Sequence, residues 1–212
     1  MPVGVETARA VPSAITAIAA HAVKPAEAPM NPLEIISRHY EPGPLQSLLI
    51  AHSVLVARKA RELGEKLIDR GAPVDLDFLT EASLLHDIGI RFCRAEEILC
   101  HGEEPYIRHG VIGREILEKE GLPRHALVCE RHTGSGITVA EVREKKLPVP
   151  ERDYLPISIE EKIVCVADKF YNENPDRLWQ EKTPEKILRS LSKWGEDVAR
   201  RLDRLWEEIG PR

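Results

Sequence analysis

The 212-residue chain has only four cysteines, Cys93, Cys100, Cys129 and Cys165, and no two of them form a Cys-x-x-Cys unit. That spacing excludes a zinc ribbon or a disulfide scaffold, and the expectation is four reduced thiols in a cytoplasmic protein. No apolar run approaches the length needed to cross a bilayer, so a membrane is not an expected partner. Basic charge is not in excess either: 30 lysines and arginines stand against 35 acidic residues, for a formal net charge of -5. Without a global basic field, long nucleic acid is not an expected partner, although a few local cations and a metal could hold a small phosphorylated molecule. Internal repeats are lacking, as is any convincing strand alternation outside residues 1–29. The remaining composition, 42% hydrophobic and 31% charged, is that of a soluble globular protein long enough for one sizeable core.

Residues 1–29 are alanine-rich with scattered proline. Glu6 precedes Arg9, and Pro12 and His21 interrupt the apolar stretch, so the pattern of a secretory signal is not met. This segment is read as a variable or disordered leader without a function, and 30–212 as a single domain. Within that domain a motif core runs over 45–171 and a helical extension over 175–212.

Helical periodicity dominates the rest. A short helix is expected over 32–39, stopped by Glu41-Pro42-Gly43-Pro44. A long one follows from Leu45 to about Arg70, carries His52 within its apolar stripe, and is closed by Gly71-Ala72-Pro73. Asp75 or Asp77 could cap a third helix running to His86-Asp87, with Gly89 as its terminator. Residues 91–107 read as an irregular, mobile insertion. Helices over about 108–120, 123–132 and 138–146 come next. A proline-rich loop then leads to Ser158-Ile159-Glu160-Glu161, a capping-box pattern before the helix that carries Asp168. A final amphipathic helix over about 184–208 spaces Leu188, Leu191, Trp194, Val198, Leu202 and Leu205 by threes and fours, a stripe suited to core packing or to a dimer seam.

The chemistry concentrates at His86-Asp87, an imidazole and a carboxylate at the end of an apolar stretch, where burial is costly unless something compensates. A metal ion is the usual compensation. His52, His109, His132 and Asp168 offer further donors, each in an apolar or glycine-rich setting. Six nitrogen and oxygen donors suit iron, manganese, cobalt or nickel better than zinc or magnesium alone. They are too many for one catalytic ion that keeps an open position, and about right for two ions sharing the Asp87 carboxylate. His21, His39, His101 and His125 read as ordinary surface or packing histidines. His125 shares a helix face with His132 at two turns' distance, too far for the same ion but within reach of a substrate.

The run Leu84-Leu85-His86-Asp87-Ile88-Gly89 and the order H…HD…H…H…D resemble the HD-domain superfamily of metal-dependent phosphohydrolases, near its HDIG-type members. The resemblance spans about Leu45 to Tyr171. It implies an all-α HD-domain helical bundle, here with a loop insertion near the site and a C-terminal amphipathic helix. The family's minimal ligand set maps onto His52, His86-Asp87 and Asp168. The two histidines that mark its dinuclear subgroups map onto His109, in His109-Gly110-Val111-Ile112-Gly113, and His132, in Arg131-His132-Thr133-Gly134.

The expected activity is hydrolysis of a nucleotide or other small phosphate ester by a metal-activated hydroxide, with Asp87 bridging and Lys169 and Arg91 as candidate phosphate contacts. Hydrolysers of cyclic dinucleotides typically carry a His-His-Glu segment and a Gly-Tyr-Pro motif. This chain has Arg131-His132-Thr133 and Gly134-Ser135-Gly136 instead, and Ile90 where a lysine often follows Asp-Ile-Gly. The ligand order is similar to that of dinucleoside-polyphosphate hydrolases and of small stand-alone HD proteins. Two other classes share the order or the fold: mixed-valent di-iron oxygenases and non-catalytic nucleotide sensors. A homodimer through the last helix is compatible with the pattern.

Overall fold

Helices in this chain begin where a side-chain acceptor or a proline precedes an apolar repeat. The computed structural model describes residues 30–210; the leader assigned to 1–29 lies outside the described residues. Asn31 Oδ1 accepts from Leu33 N–H and Pro32 opens α1 (Pro32–His39). Pro44 opens the 25-residue α2 (Pro44–Ile68). Asp75, not Asp77, caps α3 (Leu76–Leu85) by accepting from Phe78 N–H at 3.0 Å. This helix ends at Leu85, so His86 and Asp87 stand in the turn that follows rather than on the helix itself.

The segment after that turn is not irregular. It holds a three-stranded sheet of β1 (Cys93–Ala95), β2 (Cys100–His101) and β3 (Glu104–Pro105), in the order β2-β1-β3. β1 pairs antiparallel with β2 through Arg94↔His101 and Ala95↔Cys100, and parallel with β3 through Cys93↔Glu104. Strands of two and three residues are too short to show an alternation, which is why periodicity does not reveal them.

Four helices follow: α4 (His109–Lys119), α5 (Pro123–Arg131), α6 (Val139–Glu144) and α7 (Ile159–Asp168). At Ser158 only half of the expected capping box forms. Its hydroxyl accepts from Glu161 N–H at 3.1 Å, while the Glu161 carboxylate accepts instead from Ile157 N–H and Arg131. A complete box stands at Thr138 and Glu141, before α6.

The expected last helix is two, α8 (Pro184–Ser192) and α9 (Glu196–Glu208). Gly195 between them has φ +139°, a backbone conformation that L side chains rarely adopt, and Trp194 is 74% exposed. The apolar spacing crosses the break because both helices turn a face to the same core. Leu191, Val198, Leu202 and Leu205 are buried within this one chain, which assigns the stripe to core packing.

α2 packs on α3 and α7, α4 pairs with α5, α5 meets α3 and α7, and α9 returns onto α7. The shared interior holds Leu49 and Val56, Leu79 and Leu85, and Ile163 and Val164. Each such side chain contributes about 1.5–3 kcal/mol by leaving water. All four cysteines are free and buried, and burial pushes Cys93 up to about 11 and Cys100 and Cys165 to about 12. No described helix is long and apolar enough to cross a membrane.

Arg201 on α9 clamps Glu141 with both guanidinium nitrogens at 2.8–2.9 Å. Burial works against the Glu141 carboxylate, but Arg201 and the Thr138 N–H and hydroxyl outweigh it and hold its pKa at about 2, below the ordinary 4.5. A folded pKa below the unfolded one stabilises fully above about pH 4.5 and is lost as pH falls toward 2. Glu141→Gln is therefore expected to cost about 1–3 kcal/mol near neutral pH. The gap to the parent should close between pH 4.5 and 2 in paired thermal melts; a gap independent of pH would show that Glu141 contributes only its shape.

Candidate metal centre

Five elements each deliver part of one buried cluster. His52 comes from the middle of α2, His86 and Asp87 from the turn after α3, and His109 from the first position of α4. His132 follows α5 directly, and Asp168 is the last residue of α7. All six are buried, Asp168 the most exposed of them at 7% and His86 and Asp87 at 0%.

Their donor atoms form two overlapping groups. His52, His86, Asp87 and Asp168 make one, and Asp87, His109 and His132 make the other, with the atoms of each group within 4.8 Å of one another. Asp87 belongs to both through different oxygens. Its Oδ2 lies 3.6 Å from His52 Nε2 and 3.3 Å from His86 Nε2. Its Oδ1 lies 3.5 Å from His109 Nε2 and 3.2 Å from His132 Nε2. Asp168 Oδ1 completes the first group, 3.1 Å from His52 Nε2 and 3.5 Å from His86 Nε2.

Three of the histidines are oriented by the same device. Nδ1 of His86, His109 and His132 each lies 2.7 Å from the carbonyl of the residue three before it, Ser83, Tyr106 and Cys129 respectively. A carbonyl only accepts, so each Nδ1 carries a proton and each Nε2 is the nitrogen turned to the centre, where a metal would take the place of any proton it holds. His109 Nε2 and His132 Nε2 then face each other at 3.1 Å. Two lone pairs at that distance repel unless a cation or proton lies between them.

The donor set therefore fits a metal. Both oxygens of Asp87 and Nε2 of His86 are buried without a hydrogen-bond partner, a costly arrangement in an apolar interior unless a cation binds them. Burial opposes charge on all these groups, yet His86 and His132 hold Asp87 well below the usual carboxylate range. Lys169 and His52 do the same for Asp168. His86 is held well above the usual imidazole value, against burial, by Asp87 and Asp168. Burial wins at His132 and pulls it down to about 4.

Close backbone approach lets α4 and α5 reach the centre. A Cβ at Gly89 would lie 2.1 Å from the His109 carbonyl oxygen and 2.6 Å from Gly113 N. Gly89 has φ -83° and so is not a left-handed helix terminator; it is glycine because α4 presses on it.

The remaining sequence candidates fall in different places. Lys169 Nζ is bonded to Asp168 Oδ2, beside the centre. Arg91 is exposed, its guanidinium over the rings of Tyr40 and Phe92. It lines a cavity of about 500 Å³ with Leu45, Leu99 and His101, none of which belongs to the six-residue cluster. His39 pairs with Glu120 at 2.7 Å. His125 is bonded to Glu81 and packed edge-on against Phe78, and burial pulls it down to about 4. These contacts commit its ring to packing, and none of them is with the six-residue cluster.

Sequence reasoning missed Tyr106, Thr133 and Glu173. Tyr106 stacks on the His109 ring with centroids 4.6 Å apart, and its hydroxyl donates to Glu173 Oε1 at 3.0 Å. Thr133 Oγ1 lies 3.3 Å from His109 Nε2. The recurring i–3 spacing before each histidine is visible in the sequence only afterwards, because the acceptor is a backbone carbonyl that any residue carries.

Known proteins resemble this chain in sequence and in fold. The family model of the HD domain matches residues 49–173, more than half of the chain. An uncharacterised protein of Methanocaldococcus jannaschii is 41% identical over 123 residues, which are 58% of this chain and 65% of that protein. A tRNA (cytidine(56)-2'-O)-methyltransferase of Picrophilus torridus is 33% identical over 163 residues, covering 76% of this chain but only 41% of the relative. The chain thus spans less than two thirds of either relative's length. The fold is similar to that of the HD domain of the L. monocytogenes phosphodiesterase PgpH in complex with cyclic-di-AMP. The TM-score is 0.50 at 21% identity, over 86% of this chain and 89% of that one. With its ordered histidines and aspartates gathered in one helical interior, the chain belongs to the HD-domain family.

Proposed function

We propose that this protein is a metal-dependent phosphohydrolase acting on a nucleotide or other small phosphate ester at a dinuclear centre. The observation that carries the reading is the division of Asp87, whose two oxygens, both without hydrogen-bond partners, face two different sets of histidines. His52, His86, Asp168 and Asp87 would hold one divalent ion, and Asp87, His109 and His132 the other. Iron, manganese, cobalt or nickel suits this mixture of donors. When bound, such ions supply Lewis acidity and make hydroxide available from water near neutral pH.

The chain's own groups prepare the centre for that chemistry. The carbonyls of Ser83, Tyr106 and Cys129 lock three imidazoles with Nε2 inward, so none of those three rings need reorient on metal binding. Lys169 holds Asp168 ionised. Tyr106 covers one face of His109 and limits its access to bulk water. The PgpH domain of similar fold, seen with cyclic-di-AMP, favours a nucleotide among the small phosphate esters. Methyl transfer, named for the Picrophilus relative, has less support in a buried histidine and aspartate set than hydrolysis does.

The test is elemental analysis of anaerobically purified protein, with phosphate-release assays on the same sample. About two ions per chain together with phosphate release support the reading. Two irons with oxygen consumption and no hydrolysis would replace it with an oxygenase, and nucleotide binding without turnover in metal-replete protein would replace it with a sensor. Chelation should also lower the melting temperature. A ligand at a hundred times its dissociation constant stabilises by about 2.7 kcal/mol, which is about 5–10 °C for a chain of this size. An unchanged melt after complete metal removal would contradict a metal-filled interior.

A further inference from the structure

A cavity of about 500 Å³ lies between the start of α2 and the small sheet, and none of its lining residues belongs to the metal centre. Small-molecule sites typically enclose about 300–1,000 Å³. Pro42, Pro44, Leu45 and Leu99 give this one apolar walls. Leu99 has φ +62°, a left-handed conformation that is uncommon away from glycine and recurs where side chains clamp a ligand.

Arg91 is the cation of the cavity, and Tyr40 fixes it at both ends. The Tyr40 hydroxyl accepts from Arg91 N–H at 3.2 Å and donates to the Ile88 carbonyl at 2.8 Å, which anchors both residues to the turn after His86-Asp87. The guanidinium lies 5.5 Å from the Tyr40 ring centroid and 5.1 Å from that of Phe92. It is thus held in place, yet no described residue accepts from its N–H groups or pairs with its charge. A planar guanidinium of fixed direction with a free edge suits two oxygens of a phosphate. His101, exposed on β2 and equally unpaired among the described residues, lines the same cavity and can take a third oxygen. Gly43 brings in the start of α2, where no side chain caps the helix and no acidic residue stands in the first turn, so the helix dipole adds to the positive field. Glu41, the one acidic side chain of the lining, is exposed to solvent, where its charge is screened.

We propose that this cavity is a second ligand site, separate from the metal centre, for a small molecule that joins a planar ring to a phosphate, such as a nucleoside monophosphate. Arg91 and His101 receive the phosphate, and the ring lies against the proline and leucine walls. Because the six metal-site residues take no part, the site stands whether or not the centre is dinuclear.

Calorimetric titration of the full chain with adenosine monophosphate reads the site, first metal-loaded and then after chelation, when the centre is empty and consumes no ligand. The chelated parent should bind about one molecule per chain, at least about tenfold more tightly than adenosine or inorganic phosphate, each of which fills only part of the cavity. Benzoate, a planar ring with a carboxylate in place of the phosphate, should also bind more weakly. Arg91→Ala, at an exposed position, should fold as the parent does and lose at least about tenfold in affinity, and His101→Ala should lose less. No binding to the chelated parent, parental affinity in Arg91→Ala, or benzoate binding as tightly as the nucleotide overturns the proposal. Binding that needs the metal and ignores Arg91→Ala would place the nucleotide at the centre instead, supporting the hydrolase reading while ending this one.

Discussion

Asp87→Ala is expected to empty the centre: metal content should fall from about two ions per chain to below one, and phosphate release by at least about a thousandfold, or about 4 kcal/mol of transition-state stabilisation. Asp87 is the only residue common to both donor groups, so its loss takes an oxygen from each. Asp87→Asn separates charge from shape. The amide keeps the volume of a fully buried side chain, so a folded variant that also loses metal shows that the negative charge, not packing, is what the ions require. His101→Ala is the control. His101 is exposed on β2 and belongs to neither group, so its metal content should stay at the parent level. Full metal content in Asp87→Ala would end the bridging role, and loss of an ion in His101→Ala would mean that the wrong histidine has been assigned.

Gly89→Ala should strike both the fold and the centre with a single methyl. The new Cβ would lie 2.1 Å from the His109 carbonyl oxygen, 2.6 Å from Gly113 N and 3.1 Å from Gly113 Cα. All three are backbone atoms at the start of α4, which cannot swing aside as a flexible side chain would. Overpacking typically costs about 1–3 kcal/mol, and a forced backbone displacement belongs at or above the top of that range. At about 3 kcal/mol the melting temperature falls by about 6–12 °C. The displaced atom belongs to His109 itself, so the damage extends to function: the ion shared by His109 and His132 should be lost before the other, leaving about one per chain. Gly71→Ala provides the contrast, since no atom lies within 4 Å of a Cβ there and only its φ of +86° opposes the substitution. Its cost should stay near 1 kcal/mol with full metal content. A Gly89→Ala melt within about 1 °C of the parent would show that α4 is free to move away, and the close approach would lose its significance.

The helical class, the starts of the helices and the order of the histidines and aspartates can all be read from the chain alone. Asp75 and Ser158 announce their helices because a short polar acceptor followed by apolar periodicity is a local signal, complete within a few residues. The six residues of the cluster can be named for a similar reason: a histidine or aspartate in an apolar setting stands out wherever it falls. Less local features are not legible. The break at Gly195 is hidden because the apolar spacing continues through Trp194, and it shows only in the folded chain, in the φ of +139° at Gly195 and the exposure of the Trp194 ring. The small sheet over 93–105 escapes notice because its strands are shorter than one full alternation.

Side-chain type, spacing and helical period were determined by the sequence itself, since each depends on residues a few positions apart. The tertiary structure decided how those groups face one another. It turned the two oxygens of Asp87 toward different histidines, committed Lys169 to Asp168, and stacked Arg91 on Tyr40 and Phe92, outside the cluster. It also set three imidazole tautomers through backbone carbonyls and brought Tyr106 to Glu173 across 67 residues of chain. The physical reason is directional: hydrogen bonds and metal–ligand bonds depend on where lone pairs point, and that direction is fixed only when separate elements pack against each other.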